Sequence, residues 1–146
     1  MNLSKDLREF VELLNSRKVN YLLVGGHAVA FHGYPRFTGD IDFWIDTSLE
    51  NAALVAEVVR DFGFASLHID AADFSAPDRI IQLGRAPHRI DILTSITGVS
   101  FPEAWQTRIP TNIGQLEISV ISKELLVRNK LATGRPQDLA DVKRMG

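Results

Sequence analysis

Asp40 and Asp42 stand one residue apart at the head of the apolar run DIDFWI, and no other feature restricts the fold of this chain so tightly. Ile41, Phe43, Trp44 and Ile45 read as a strand, on which residues two apart point to the same face. The two carboxylates therefore project together from a segment whose other side chains belong in a core. A third acid, Asp91, interrupts a second apolar run, HRIDIL. Upstream, the short apolar strand Tyr21–Val24 runs directly into the paired glycines Gly25 and Gly26 and a short helix over 26–32 that Gly33 and Pro35 end. The stretch thus reads as strand, glycine pair, helix, loop and acid-bearing strand.

Three carboxylates gathered in one cleft would repel, and without a partner at least one would have its pKa raised. A hard divalent cation such as Mg²⁺, or Mn²⁺ in its place, removes that penalty because it prefers oxygen ligands shared between carboxylates and substrate phosphates. Two such ions can activate an attacking oxygen and stabilise a leaving one. Glycines at the strand-to-helix junction let a phosphate approach backbone N–H groups that a side chain would cover. Acids for metal beside glycines for an anion describe a site for a nucleoside triphosphate. Each residue also has a plainer role to set against this. Gly25-Gly26 would serve as a tight turn, Asp40 as a turn cap, and Asp91 as the partner of Arg89 or Arg79 in a structural ion pair.

The remaining elements follow from periodicity. Leu7, Phe10, Val11 and Leu14 place a helix over Ser4–Ser16 with Ser4 as N-cap. Leu54, Val55, Val58, Val59 and Phe62 place another over Leu49–Phe62, stopped by Gly63. Phe64–Ile69 reads as a strand and Asp70–Asp78 as a loop or single helical turn. Arg79–Leu83 with His88–Leu93, and Thr107–Ile113 with Gln115–Val120, read as two hairpins, with a helical turn over Phe101–Gln106 before the second. Ser122 caps a helix to about Thr133, Gly134-Arg135-Pro136 breaks it, and Gln137–Met145 is a last helix. The expected class is α+β, close to α/β. A mixed sheet is flanked by helices in one domain over 1–146, with a core at about 20–121 and a C-terminal helical segment at about 122–146.

Composition excludes more than it assigns. The chain has 146 residues and no cysteine, so disulfides, thiolate zinc sites and cysteine nucleophiles are ruled out. No apolar run approaches membrane-spanning length and the first residues lack a signal core, which leads us to expect a cytoplasmic protein with no membrane partner. The net charge of −2 conceals an asymmetry, with 10 Lys/Arg against 15 Asp/Glu in residues 1–122 but 6 against 3 in residues 123–146. An overall basic footprint for nucleic acid is missing, although the C-terminal segment could meet phosphates. The four histidines lack zinc spacing and are expected to pack or to face solvent; Trp44 and Trp105 are expected in the core.

The order of motifs resembles that of the DNA polymerase β-like nucleotidyltransferase superfamily: a strand, GG, thirteen residues, DxD, and a later lone Asp91. Within it, the RFTGDID spelling and the tail KLATGRPQDLADV, carrying Lys130, Asp138 and Asp141, are similar to the small AbiEii/AbiGii-type nucleotidyltransferases of bacteria and archaea. The resemblance spans about residues 20–145 and implies the nucleotidyltransferase fold. It implies that Gly25 and Gly26 contact the triphosphate, and that Asp40, Asp42 and Asp91 bind the metal ions and carry catalysis, Asp91 also helping to activate the acceptor. Lys130 would reach the nucleotide phosphates with Asp138 orienting it, and Arg36 would neutralise phosphate charge. The implied reaction moves a nucleoside monophosphate from an NTP to an acceptor hydroxyl and releases pyrophosphate. RNA ends, protein side chains and small molecules remain open as acceptors, and a cognate toxin or antitoxin as a partner. A catalytically silent binding module on the same fold is the alternative. A nucleotide-sugar glycosyltransferase explains neither the glycines nor the tail.

Overall fold

The computed structural model describes residues 4–35, 39–84 and 89–146, so the Arg36 expectation lies outside the described residues. Helix α1 (Lys5–Ser16) begins where the Ser4 hydroxyl accepts the Leu7 N–H at 3.3 Å, and it buries Leu7, Phe10, Val11 and Leu14. Strand β1 (Tyr21–Val24), helix α2 (Gly25–Phe31) and strand β2 (Asp40–Ile45) follow in the expected order. Helix α3 (Leu49–Val59) is capped by Ser48, whose hydroxyl accepts the Asn51 N–H at 3.2 Å. After it come α4 (Ala71–Ser75), β3 (Ile80–Leu83), β4 (Arg89–Leu93), α5 (Phe101–Gln106), β5 (Ile109–Ile113), β6 (Leu116–Val120), α6 (Lys123–Thr133) and α7 (Pro136–Met145).

The strands form one six-stranded sheet in the order β3-β4-β2-β1-β6-β5. Both hairpins are antiparallel, as is β1 with β2, whereas β2–β4 and β1–β6 are parallel. The sheet is therefore mixed, and the class is α+β. Pro110 lies on β5, a sheet-edge strand, where a missing N–H leaves no ladder bond broken on the outer side.

Register sorts the side chains. Tyr21, Leu23, Ile41, Phe43, Ile45, Ile90 and Ile92 share one face, which α1 covers; Phe10 meets Phe43 with ring centroids 5.5 Å apart. Leu22, Val24, Asp40, Asp42, Trp44, Arg89, Asp91 and Leu93 share the opposite face, where Phe101 of α5 meets Trp44 edge-on at 5.0 Å. The indole N–H of Trp44 is buried there without a hydrogen-bond partner. Trp105 is only half-buried, stacked on Phe101 with Arg108 over its ring.

One element differs from its sequence expectation. Phe64–Ile69 is not a strand: α3 runs on into a wide turn at Arg60–Phe64 and a 3₁₀ turn at Ala65–Leu67. Gly63 takes φ 108° and His68 φ 54°, conformations that no extended strand accommodates, and Ala65 through His68 are exposed. Alternation of Phe64 with polar and small neighbours mimics a strand, but these residues have no neighbour to pair with in the sheet. Among the described residues, no helix is long and apolar enough to cross a membrane.

Candidate functional site

The acids emerge where three strand ends meet. Asp42 lies opposite Val24, the last residue of β1, and opposite Asp91 on parallel β4; Asp40 pairs with Arg89. Because Asp40, Asp42, Arg89 and Asp91 all point to one face, residues 49 positions apart come into direct contact. Arg89 bridges two of the acids. Its Nε and Nη2 donate to the Asp91 carboxylate at 2.8 and 3.1 Å, and Nη2 also donates to Asp40 Oδ2 at 2.6 Å. Asp91 is only 7% exposed, so this fork is its main compensation. The Asp91 hydrogen bonds foremost, with the negative neighbours, raise the Arg89 pKa above its ordinary value. Arg79 does not take part and pairs with Asp73 instead.

Asp42 is left outside that fork. Among the described residues no hydrogen bond or ion pair reaches its carboxylate, and its pKa is pushed up to about 6. Burial is the main cause, followed by the charges of Asp91 and Asp40, against the weaker pull of Arg89 and Lys130. Gly25 explains how the carboxylate fits. It takes φ +69°, and a Cβ placed on it would run into the Asp42 Oδ2 atom. Glycine at this position is therefore required by the backbone and by the neighbouring acid together. Gly26 is buried in the first turn of α2. His27 steadies the other acid, its Nδ1–H donating to the Asp40 carbonyl at 2.9 Å, and His32 donates to the Ile121 carbonyl at 2.7 Å.

The C-terminal helices bring a second set of charges to the same place. Lys130, in the last turn of α6, is 3% exposed and donates to Asp138 Oδ1 at 3.0 Å and Asp141 Oδ2 at 2.8 Å on α7. Gly134, at φ 67°, lets the chain reverse between the two helices so that these groups face each other. Thr133 closes the joint, its single hydroxyl proton lying within reach of both Asp138 Oδ2 at 2.6 Å and the Lys130 carbonyl at 2.9 Å. Arg135 Nε donates to the same Oδ2 at 2.7 Å, and Gln137 to Asp141 Oδ1 at 3.1 Å. Burial alone would raise the Asp138 pKa, but the hydrogen bonds from Thr133, Arg135 and Lys130 outweigh it and hold the group below the usual carboxylate range.

These two sets line one cavity of about 230 Å³, bounded by Gly25, Gly26, Asp40, Asp42, Lys130, Arg135, Gln137 and Asp138. A larger cleft of about 480 Å³ adjoins it and shares Gly25, Asp42 and Arg135 with it; Ile80, Leu93, Ile96, Ser95, Thr97 and Asn129 form other parts of its wall. The structure thus gathers Gly25, Gly26, Asp40, Asp42, Lys130 and Asp138 around one cavity. Asp91 stands behind Asp42 and Asp40, held by Arg89. Arg135, Gln137 and Thr133 were not assigned roles from the sequence, and the only available signal was their position in the helix-breaking TGRPQD segment that carries Asp138.

Residues 2–146 match the family described as "Nucleotidyltransferase of unknown function (DUF6036)". The chain belongs to this family. Two solved structures share the fold of this nucleotidyltransferase family member. One is a candidate nucleotidyltransferase from Thermotoga maritima, with TM-score 0.59 and 21% identity over 95% of this chain and 89% of that one. The other is an antigenic nucleotidyltransferase-like protein from Paracoccidioides brasiliensis, with TM-score 0.58 and 17% identity over 98% and 77% of the two chains. No curated protein matches the chain in sequence.

The donor set can be compared with what a divalent cation needs. Among the described residues, no three His, Cys, Asp or Glu side chains are arranged to hold a metal ion by themselves. Arg89 fills the gap between Asp40 and Asp91. Among the described residues, the acids Asp40, Asp42, Asp91, Asp138 and Asp141 stand beside the cations Arg89, Lys130 and Arg135. Asp42 is the acid on which burial and the neighbouring carboxylates bear most. Asp40 and Asp42 therefore suit a cation that arrives with ligands of its own, phosphate oxygens and water, rather than one enclosed by protein.

Proposed function

We propose that the protein is a metal-dependent nucleotidyltransferase that transfers a nucleoside monophosphate from an NTP to an acceptor hydroxyl, with pyrophosphate leaving. The observation that carries this reading is the shared cavity, where Asp42, its pKa raised by burial and by its acidic neighbours, lies with Asp40 beside Lys130, Arg135 and the glycine turn. Mg²⁺ or Mn²⁺ held by Asp40 and Asp42 would supply neutralisation of phosphate charge and a more acidic acceptor oxygen. The chain's own residues do the rest. Gly25, whose missing Cβ makes room for the Asp42 carboxylate, and Gly26 border the cavity in which phosphate oxygens would lie. Arg135 would place positive charge beside the leaving pyrophosphate, its guanidinium aimed in advance by Asp138, which Lys130 holds from the buried side. Arg89 holds Asp91 and Asp40 in one orientation, so that little reorganisation is left for the moment of reaction. As in other phosphoryl chemistry, the protein contributes positioning and electrostatics.

A second reading, a nucleotide-binding module without turnover, draws support from the same Arg89, whose fork occupies the acids that a second ion would use. The tail that carries Lys130, Asp138 and Asp141 also supports a place near the AbiEii/AbiGii type, and with it a cognate toxin or antitoxin partner. One experiment separates the readings. The protein is incubated with each labelled NTP, Mg²⁺ and a cell extract, with EDTA and Asp42→Asn as controls. The expected outcome is label on an RNA, protein or small-molecule acceptor that both controls abolish. NTP binding without any labelled product supports the module, and neither binding nor transfer overturns both.

A further inference from the structure

The two cations of the cavity are not equivalent, and the difference assigns them different work. Lys130 is 3% exposed, and two of its N–H donors already end on the buried carboxylates of Asp138 and Asp141. An ammonium held by two carboxylates presents little net positive charge to an arriving anion. The side chain of Arg135 is 74% exposed. Only its Nε is engaged, on Asp138, so both terminal nitrogens of the guanidinium remain for a ligand among the described residues. Arg135 also borders both cavities, together with Asp42 and Gly25. A planar fork with two open donors at the junction of a polar cavity and a roomier cleft is suited to bidentate recognition of a phosphate.

Building on the nucleotidyltransferase reading, we propose that Arg135 is the residue that grips the polyphosphate of the substrate, while Lys130 acts as the buried pin that orients Asp138 and, through it, Arg135. In this arrangement Asp138 Oδ2 takes the Thr133 and Arg135 hydrogen bonds and Oδ1 takes Lys130, so one carboxylate fixes the aim of the guanidinium. A lysine at position 135 would keep the charge and lose the second parallel donor.

Calorimetric titration with tripolyphosphate and with ATP, each with Mg²⁺, tests this on the whole chain. Arg135→Gln should weaken binding of both ligands by about 10- to 100-fold, the size of one lost charge-assisted contact. Arg135→Lys should recover part of the loss, and the thermal midpoint of both variants should stay near that of the unaltered protein because the side chain is mostly in water. Unchanged affinity in Arg135→Gln overturns the role of Arg135 and leaves the nucleotidyltransferase reading standing. A lowered thermal midpoint that accounts for the lost binding also overturns it, by making Arg135 structural. If the unaltered protein binds neither ligand, the reading beneath the proposal fails as well.

Discussion

Asp42 is the residue on which burial and charge act against each other most strongly. Its carboxylate sits near pH 6 in the folded chain against 3.8 for the free side chain. Between those values the folded state binds the extra proton, so stability falls as pH rises through the window and stays lower above it. Asp42→Asn removes that penalty. Without divalent ions, the variant should match the unaltered protein near pH 4 and exceed it by about 2 kcal/mol above pH 7, while losing transfer activity. Urea unfolding at the two pH values measures this; an equal difference at both would mean that the charge is not strained. The sequence already placed Asp40 and Asp42 on one face, because a period of two admits nothing else. It could not rank them. That Arg89 would neutralise Asp40 and Asp91 and leave Asp42 exposed to its neighbours depends on which residue of β4 lies opposite which residue of β2, and register is a tertiary property.

At the scale of elements, the joint between α6 and α7 is the unit that matters. Lys130, Asp138 and Asp141 lie on two helices that neither periodicity nor propensity would bring together; the Gly134 reversal does so. Lys130→Met should destabilise the protein by about 3 kcal/mol or more, since it takes away the buried ammonium that Asp138 and Asp141 share. Adding Asp141→Asn to that variant should restore part of the loss, and thermal denaturation of the two variants checks both expectations. The helices themselves were legible from Ser122, Gly134 and Pro136, whose capping and breaking chemistry acts locally. The hairpins were legible for the same reason. Phe64–Ile69 was not, because its pattern suits a strand while Gly63 and His68 turn the backbone away from any partner.

Across the whole molecule, the sheet turns one oily face toward α1 and one acid-bearing face toward α5, α6 and α7. Asp40, Asp42 and Trp44 form a single row along that second face. The mixed sheet was expected from two hairpins combined with helix-linked strands, but the meeting of the C-terminal helices with the strand acids depended on packing over the full length of the chain. The row has a practical result. The indole of Trp44 is two residues from Asp42, sealed from water and with its N–H unpartnered, so its emission can serve as an optical gauge of the proposed nucleotide site. In a Trp105→Phe background, titrating Mg²⁺-ATP should shift or quench the remaining emission in a saturable way, with no label attached; a spectrum that stays flat while ligand binds by calorimetry would show the gauge to be disconnected.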